Sequence, residues 1–286
     1  MAPTKKRNHQ AFFIKHKSEG ILIDCGEGTQ RQFKIAGIPL TKITKILISH
    51  WHGDHVFGLP GVIQTLAASE YTKTLKIYGP KGTKQRCKNM FNAFPFDKKI
   101  DLEIKEIKQG IFVENNFLKI NAFEMDHRIE CVGFKLIEKD RKKIKISFIK
   151  KLKIPDGPLL GKLQNNQPIN WDGKKITPKE ATRTIKGKKI GIIPDTKLCN
   201  NCYGIAKDVD LLVCESTYSH KLIKKAKKHM HMTATEAALI ASESNTKQLV
   251  LTHFSSRYKE TYELEEEART FFDKTICAKD FMKINI

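Results

Sequence analysis

The sequence predicts an α/β fold carrying an inserted basic arm, and three observations predict it. Short β-branched runs alternate with helical stretches along the chain. A histidine-crowded turn falls where one strand gives way to a helix, and a Lys-rich segment interrupts the alternation. With 286 residues and 40% apolar content the chain can fill a sizeable core, which excludes a small module or a disordered tail. We read 1–286 as one domain.

In chain order, 43–49 reads as a strand, 58–70 as a helix, 75–78 as a strand and 81–92 as a helix. Strands follow at 100–107 and 117–124, then at 189–193, 210–215 and 248–252. The helix at 233–244 opens on Thr233-Ala-Thr-Glu236, a capping box whose side chains satisfy the first free backbone N–H groups. A last helix spans 261–272. Between these elements, 139–153 holds eight Lys/Arg against one acid, and a Pro/Gly/Asn-rich stretch follows in which Trp171-Asp-Gly173 predicts a hairpin turn. We read 139–187 as an arm inserted into the core.

Lys and Arg number 52 against 31 Asp and Glu, a formal charge of +21, so the molecule attracts polyanions and nucleic acid is the first partner to consider. Seven cysteines, an odd number, lie scattered along the chain, and the opening MAPTKKRNHQ has no hydrophobic signal core. No run approaches the ~18 apolar residues of a membrane span. The expectation is a soluble, cytoplasmic protein with no membrane partner. Cys199-Asn-Asn-Cys202 has zinc-ligand or redox spacing, but no second ligand pair is obvious and it reads as an ordinary loop.

The chemistry concentrates in His50-Trp-His52-Gly-Asp54-His55, directly after the strand at 43–49. Zn²⁺ favours imidazole nitrogen with carboxylate oxygen, and alternation in a tight turn lets His50 and His52 face one ion while Asp54 and His55 face another. Further ligands follow other predicted strands: His127, Asp195 and His253. Glu215 ends a strand in the same way, and His231 stands just before a helix.

These residues resemble the metallo-β-lactamase superfamily. Asp24-Cys-Gly-Glu-Gly-Thr-Gln30, HGDHVFGLPG, His127-Arg-Ile-Glu130, Pro194-Asp-Thr196, Cys214-Glu-Ser-Thr217 and His253-Phe-Ser-Ser-Arg-Tyr258 narrow the resemblance to the ribonuclease Z family. It implies a metallo-β-lactamase αβ/βα four-layer sandwich. It also implies a zinc-dependent endoribonuclease that removes 3′ trailers from precursor tRNA and leaves a 3′-hydroxyl. Two Zn²⁺ per subunit are implied, one held by His50, His52 and His127, the other by Asp54, His55 and His253, with Asp195 bridging. Asp54 is thereby counted among the catalytic residues with Glu215 and His231, which the resemblance pairs as a proton-transfer unit. The arm would grip the tRNA body through a Gly-Pro element that Gly157-Pro158 matches, and a homodimer would let one subunit's arm serve the other's site.

The chemistry agrees, because two Zn²⁺ ions acidify water and neutralise phosphate charge. A His held by a carboxylate is suited to protonating the departing ribose oxygen, the role given to His231. Ser255, Ser256 and Arg257 follow a candidate metal ligand and are candidates to contact a phosphate. The Lys-rich stretch 221–229 is read equally as a solvated helix face and as an RNA-backbone contact. Relatives of this family open with a strand and a Gly turn before the Pro-Thr…Arg-Asn segment, so one strand fewer is expected here. Two rival readings stand: a small-molecule ester or thioester hydrolase of the same superfamily, which has little need of +21 or of the arm, and a non-catalytic RNA-binding homologue, in which ligands are eroded.

Overall fold

The structure, a computed structural model, describes residues 2–93, 95 and 99–286. β1 (Phe12–His16) and β2 (Glu19–Ile23) form an antiparallel hairpin, to which β3 (Lys45–Leu47), β4 (Leu75–Gly79) and β5 (Leu102–Glu106) add in parallel. A second sheet begins with the antiparallel strands β6 (Gly110–Glu114), β7 (Leu118–Glu124) and β8 (Val132–Glu138). The chain then makes β9 (Arg141–Ile144), β10 (Ile169–Trp171), β11 (Lys174–Ile176) and β12 (Thr182–Ile185) in the inserted segment. It returns as the parallel strands β13 (Lys189–Ile193), β14 (Leu211–Glu215), β15 (Leu249–Thr252) and β16 (Thr275–Cys277), giving a seven-stranded sheet ordered β16-β15-β14-β13-β8-β7-β6.

Helices close the outer faces. They are α1 (Thr29–Ile35), α2 (Gly53–Val56), α3 (Leu59–Ala68) and α4 (Thr83–Asn92), then α5 (Ile146–Lys151), α6 (Pro158–Gln164) and α7 (Pro178–Ala181) in the inserted segment, and α8 (Asn200–Ala206), α9 (Ile223–His229), α10 (Ala234–Glu243) and α11 (Tyr262–Arg269). Three apolar clusters account for the layering. Phe33 of α1, Val62 and Leu66 of α3 and Cys87 of α4 pack on Leu22, Ile46 and Ile77 of the first sheet. Ile21, Ile23 and Leu47 meet Phe134, Ile192 and Val213 between the sheets. Ile205, Ala237, Ile240 and Leu264 cover Leu212, Leu249 and Leu251 on the far side. The result is a four-layer αβ/βα sandwich, as predicted. No helix among the described residues is long and apolar enough to cross a membrane.

The inserted segment has a two-stranded stalk, β9 against β12, in which Ile144 faces Thr182. Beyond it a separate cluster of Ile149, Ile154, Leu163, Ile169, Ile176 and Ala181 is buried among α5, α6, α7 and the β10–β11 hairpin. Each large aliphatic side chain buried there stabilises the segment by roughly 1.5–3 kcal/mol. Trp171 caps the cluster and its indole N–H donates to Leu152 O at 2.9 Å. Asp172 and Gly173 take φ of 49° and 68°, so the hairpin turns through the two-residue left-handed geometry that Asp-Gly favours.

Thr233 caps α10 as read, accepting from Glu236 N at 3.2 Å while Glu236 Oε2 accepts from Thr233 N at 2.9 Å. One loop reading is corrected, and one strand escaped the sequence pattern. Cys199-Asn-Asn-Cys202 is the start of α8, not a loop. The strand β8 escapes a hydrophobicity pattern because Lys135 sits in its middle; the buried chain carries its ammonium to Gly204 O and Lys207 O at 3.1 and 2.6 Å, at the C-terminal end of α8 where a cation is favoured.

Candidate metal centre

Both sheets deliver their carboxyl ends to one edge. Ile46 and Leu47 of β3 anchor the run into Ser49 and His50, after which the chain turns sharply into α2, with His52 at its N-cap. The turn is held from behind by the segment after β2: Cys25 N donates to His55 O at 2.7 Å and Gly58 N to Cys25 O at 2.9 Å. A Cβ on Gly26 would lie 2.5 Å from Asp54 O and one on Gly58 2.1 Å from Gly26 O, so the two backbones touch in a way that only glycine permits. From the second sheet, His127 follows β7, Asp195 follows β13 and His253 follows β15. His253 has φ 58°, a strained conformation for a side-chain-bearing residue at a chemical site.

All seven predicted ligands converge. Ligand atoms of His50, His52, His127 and Asp195 lie within 4.8 Å of one another, as do those of Asp54, His55 and His253. Asp195 touches both groups, with Oδ2 3.8 Å from His50 Nε2 and Oδ1 3.5 and 3.2 Å from the Nε2 atoms of His55 and His253. His253 Nε2 is also 3.6 Å from Asp54 Oδ2, and His127 Nε2 faces His52 Nδ1 at 3.2 Å.

The surrounding hydrogen bonds set the tautomers. Asp24 accepts from Ser49 N at 2.7 Å, from Ser49 Oγ at 2.8 Å and from His55 Nδ1 at 2.7 Å. Because the Ser49 hydroxyl donates to Asp24, it accepts from His50 Nδ1 at 2.9 Å. Thr217 Oγ1 donates to Glu215 Oε2 at 2.7 Å and so accepts from His253 Nδ1 at 3.0 Å; His127 Nδ1 donates to Met230 O at 3.2 Å. Each of these imidazoles therefore turns an Nε2 lone pair inward. The Nε2 atoms of His50, His55 and His253 and Oδ1 of Asp195 are buried without a hydrogen-bond partner, an arrangement that is costly unless a cation fills the space. The donor set therefore fits a metal ion.

Electrostatics agree. Burial holds His50 well below the ordinary imidazole value and also lowers His52 and His127, leaving neutral nitrogens ready to ligate. Burial alone would raise Asp54 and Asp195, but the facing histidines outweigh it and hold both carboxyls low and ionised. His55 is raised despite its burial because the Asp195 and Asp24 carboxylates flank it. Sequence reasoning missed Asp24, Ser49 and Thr217 as the groups that orient ligands; the only signal was the place of Asp24 and Thr217 in the quoted motifs and of Ser49 at the end of the strand read at 43–49. Asp24→Asn puts an amide N–H₂ against groups that already donate, and the expected outcome is 10- to 100-fold weaker metal binding, on the order of other such losses, measured by chelator competition on a folded variant.

A profile described as the metallo-beta-lactamase superfamily matches residues 4–122. The chain is 37% identical to a ribonuclease Z of Archaeoglobus fulgidus, over 99% of this chain and 94% of that one, and equally to a ribonuclease Z of Protochlamydia amoebophila. The chain belongs to the ribonuclease Z family. Among solved structures it is similar to the short form of human tRNase Z, at 26% identity and TM-score 0.73, covering all of this chain and 95% of the other.

Glu215 and His231 meet beside the ligand cluster: Nδ1 of His231 is 2.8 Å from Glu215 Oε1. Glu215 is fully buried and also accepts from Thr196 N at 2.9 Å and Thr217 N at 3.1 Å, so its orientation is fixed from three sides. Burial would lower His231, yet the Glu215 carboxylate prevails and raises it to about 9. Ser255 is buried and bonded through Oγ to Arg257 Nε at 3.0 Å, while the Arg257 guanidinium lies 5.1 Å over the Tyr218 ring. Ser256 is exposed next to them, and Gly157 and Pro158 lie exposed at the start of α6 in the inserted segment. Residues 221–229 complete a short 3₁₀ turn and form α9, and their lysines are all exposed.

Proposed function

We propose that the protein is an endoribonuclease that removes 3′ trailers from precursor tRNA and leaves a 3′-hydroxyl on the tRNA. The observation that carries this reading is the inward convergence of unpartnered imidazole nitrogens beside a histidine clamped by a buried glutamate. His50, His52 and His127 would hold one Zn²⁺ and Asp54, His55 and His253 a second, with Asp195 reaching both. Such ions activate water and neutralise charge on the phosphate oxygens.

The chain's own residues do the rest. Glu215 keeps the Nδ1 of His231 engaged and stabilises its imidazolium, so Nε2 carries the proton that the departing ribose oxygen needs. Ser255, Ser256 and Arg257 would contact a phosphate of the substrate. Of the rival readings, the non-catalytic homologue is disfavoured by the complete ligand set. The small-molecule hydrolase is disfavoured by the relatives and by the formal charge of +21. Incubation of the purified protein with a trailer-bearing tRNA transcript, with and without chelator, tests all three. A single cut at the 3′ side of the tRNA, ending in a 3′-hydroxyl and lost with chelator, is expected; an intact transcript beside hydrolysis of a small ester overturns the reading.

The inserted segment 139–187 is proposed as the exosite for the tRNA body, with Gly157 and Pro158 at its contact surface, and the enzyme as a cytoplasmic homodimer in which one subunit's arm serves the other's site. Replacing 146–180 by a short turn across the Ile144–Thr182 pair removes the head with its own apolar cluster and leaves the three core clusters whole. Affinity for precursor tRNA is then expected to collapse while hydrolysis of bis(p-nitrophenyl) phosphate survives. Loss of both activities in a folded, metal-loaded variant would count against the exosite.

A further inference from the structure

The seven cysteines divide sharply. Cys25, Cys87, Cys131, Cys214 and Cys277 are buried, and burial pushes Cys25, Cys87 and Cys277 up to about 12 and Cys131 and Cys214 well above the ordinary thiol range. Cys199 alone is partly exposed. It immediately precedes α8, and Cys202, fully buried, comes one turn later with its N–H donating to Cys199 O at 3.0 Å. Their sulfurs are 3.6 Å apart. A disulfide needs about 2.05 Å, so a small side-chain rotation closes the gap without unwinding the helix. No third His, Cys, Asp or Glu ligand atom joins the pair among the described residues, which argues against a metal and for a bond between the sulfurs.

We propose that Cys199 and Cys202 are an oxidisable dithiol, a modification site in which hydrogen peroxide converts the two thiols to a disulfide. Hydrogen bonding from the Cys202 thiol, against opposing burial, lowers Cys199 to about 5, so Cys199 is the attacking sulfur and Cys202, raised by the same contact, the resolving one. The Cys199 thiolate attacks one peroxide oxygen; the O–O bond breaks and hydroxide leaves, protonated to water. Cys202 sulfur then attacks the Cys199 sulfenic acid, the S–O bond breaks and a second water departs, its proton supplied by the Cys202 thiol. Two thiols and one peroxide thus give one disulfide and two waters, the thiols losing two electrons. Cys199 lines the same surface depression as His127, so the bond would form at the margin of the metal centre.

The test uses the purified full-length, metal-loaded protein. It is exposed to a slight excess of hydrogen peroxide, then unfolded, alkylated with N-ethylmaleimide and digested with trypsin. Cleavage after Lys197 and Lys207 isolates residues 198–207, which hold these two cysteines and no other. The expected peptide is unlabelled and two hydrogens lighter than the dithiol, and it takes up two labels after dithiothreitol; the other five cysteines are labelled before and after. In Cys202→Ser, which keeps size and the first turn of α8, dimedone is expected to trap a sulfenic acid on Cys199, and in Cys199→Ser no adduct is expected on Cys202. A 198–207 peptide still carrying two labels after peroxide, or one with Cys199 driven to sulfinic acid beside a free Cys202, overturns the proposal.

Discussion

Asp195→Ala is expected to take cleavage of precursor tRNA to background and to release or misplace both metal ions. The carboxylate reaches His50 with one oxygen and both His55 and His253 with the other, so it belongs to each half of the ligand set. A methyl group supplies no oxygen to either. The variant also loses the anion that, with Asp24, offsets charge on His55, so the remaining imidazoles repel one another whenever they protonate. Asp195 has little exposed surface and packs at the end of β13, so folding is checked by circular dichroism before metal is counted by elemental analysis. Two tightly held zincs per chain together with intact turnover would refute the assignment.

His231→Ala is expected to slow precursor-tRNA cleavage by roughly 10²–10⁴-fold, the contribution of a positioned general acid, and to leave zinc content near that of the parent. A nitrophenyl ester leaves without a proton, so its hydrolysis should suffer far less. Equal losses on both substrates would make His231 a phosphate-positioning or structural residue. The pH dependence carries the same message. The acid must be protonated to act, and the Glu215 carboxylate raises its pKa to about 9, so activity is present below that pH and falls as pH rises through it. Nearby cations disfavour the imidazolium, which places the descending limb at or below pH 9 in the metal-loaded enzyme. That limb should be absent from the profile of His231→Ala.

The central strands of both sheets and the long helices were legible because their apolar runs are short, β-branched or helically spaced, and because buried parallel strands such as β13 to β15 carry little else. The strands that escaped were those whose character is set by partners. β8 hides its Lys135 against backbone carbonyls of α8, and β1 and β2 are five-residue strands, Phe-Phe-Ile-Lys-His largely half-buried and Glu-Gly-Ile-Leu-Ile buried behind Glu19, whose pairing across the turn at Lys17-Ser18 is what makes them strands. At the metal centre the ligand types and their crowding could be read directly, since chemistry restricts which side chains serve. The groups that aim those ligands could not. Asp24, Ser49 and Thr217 are ordinary loop residues in one dimension, and only the fold brings Asp24 Oδ2 to 2.7 Å from His55.

The candidate ligands come from both sheets: His50, His52, Asp54 and His55 from the end of β3, and His127, Asp195 and His253 from the ends of β7, β13 and β15. An ion held by that set joins the two halves of the sandwich, so metal binding and sheet-to-sheet docking are one linked equilibrium. With free ion at one hundred times its dissociation constant, linkage adds about 2.7 kcal/mol to the folded state, and a second ion adds its own share. Chelation then acts as a denaturant of the seam as well as an inhibitor, lowering the thermal midpoint and admitting proteases at the junction. The protein's survival would thereby become a measure of available metal: a chain stripped of bound metal is expected to be both inactive and easier to degrade.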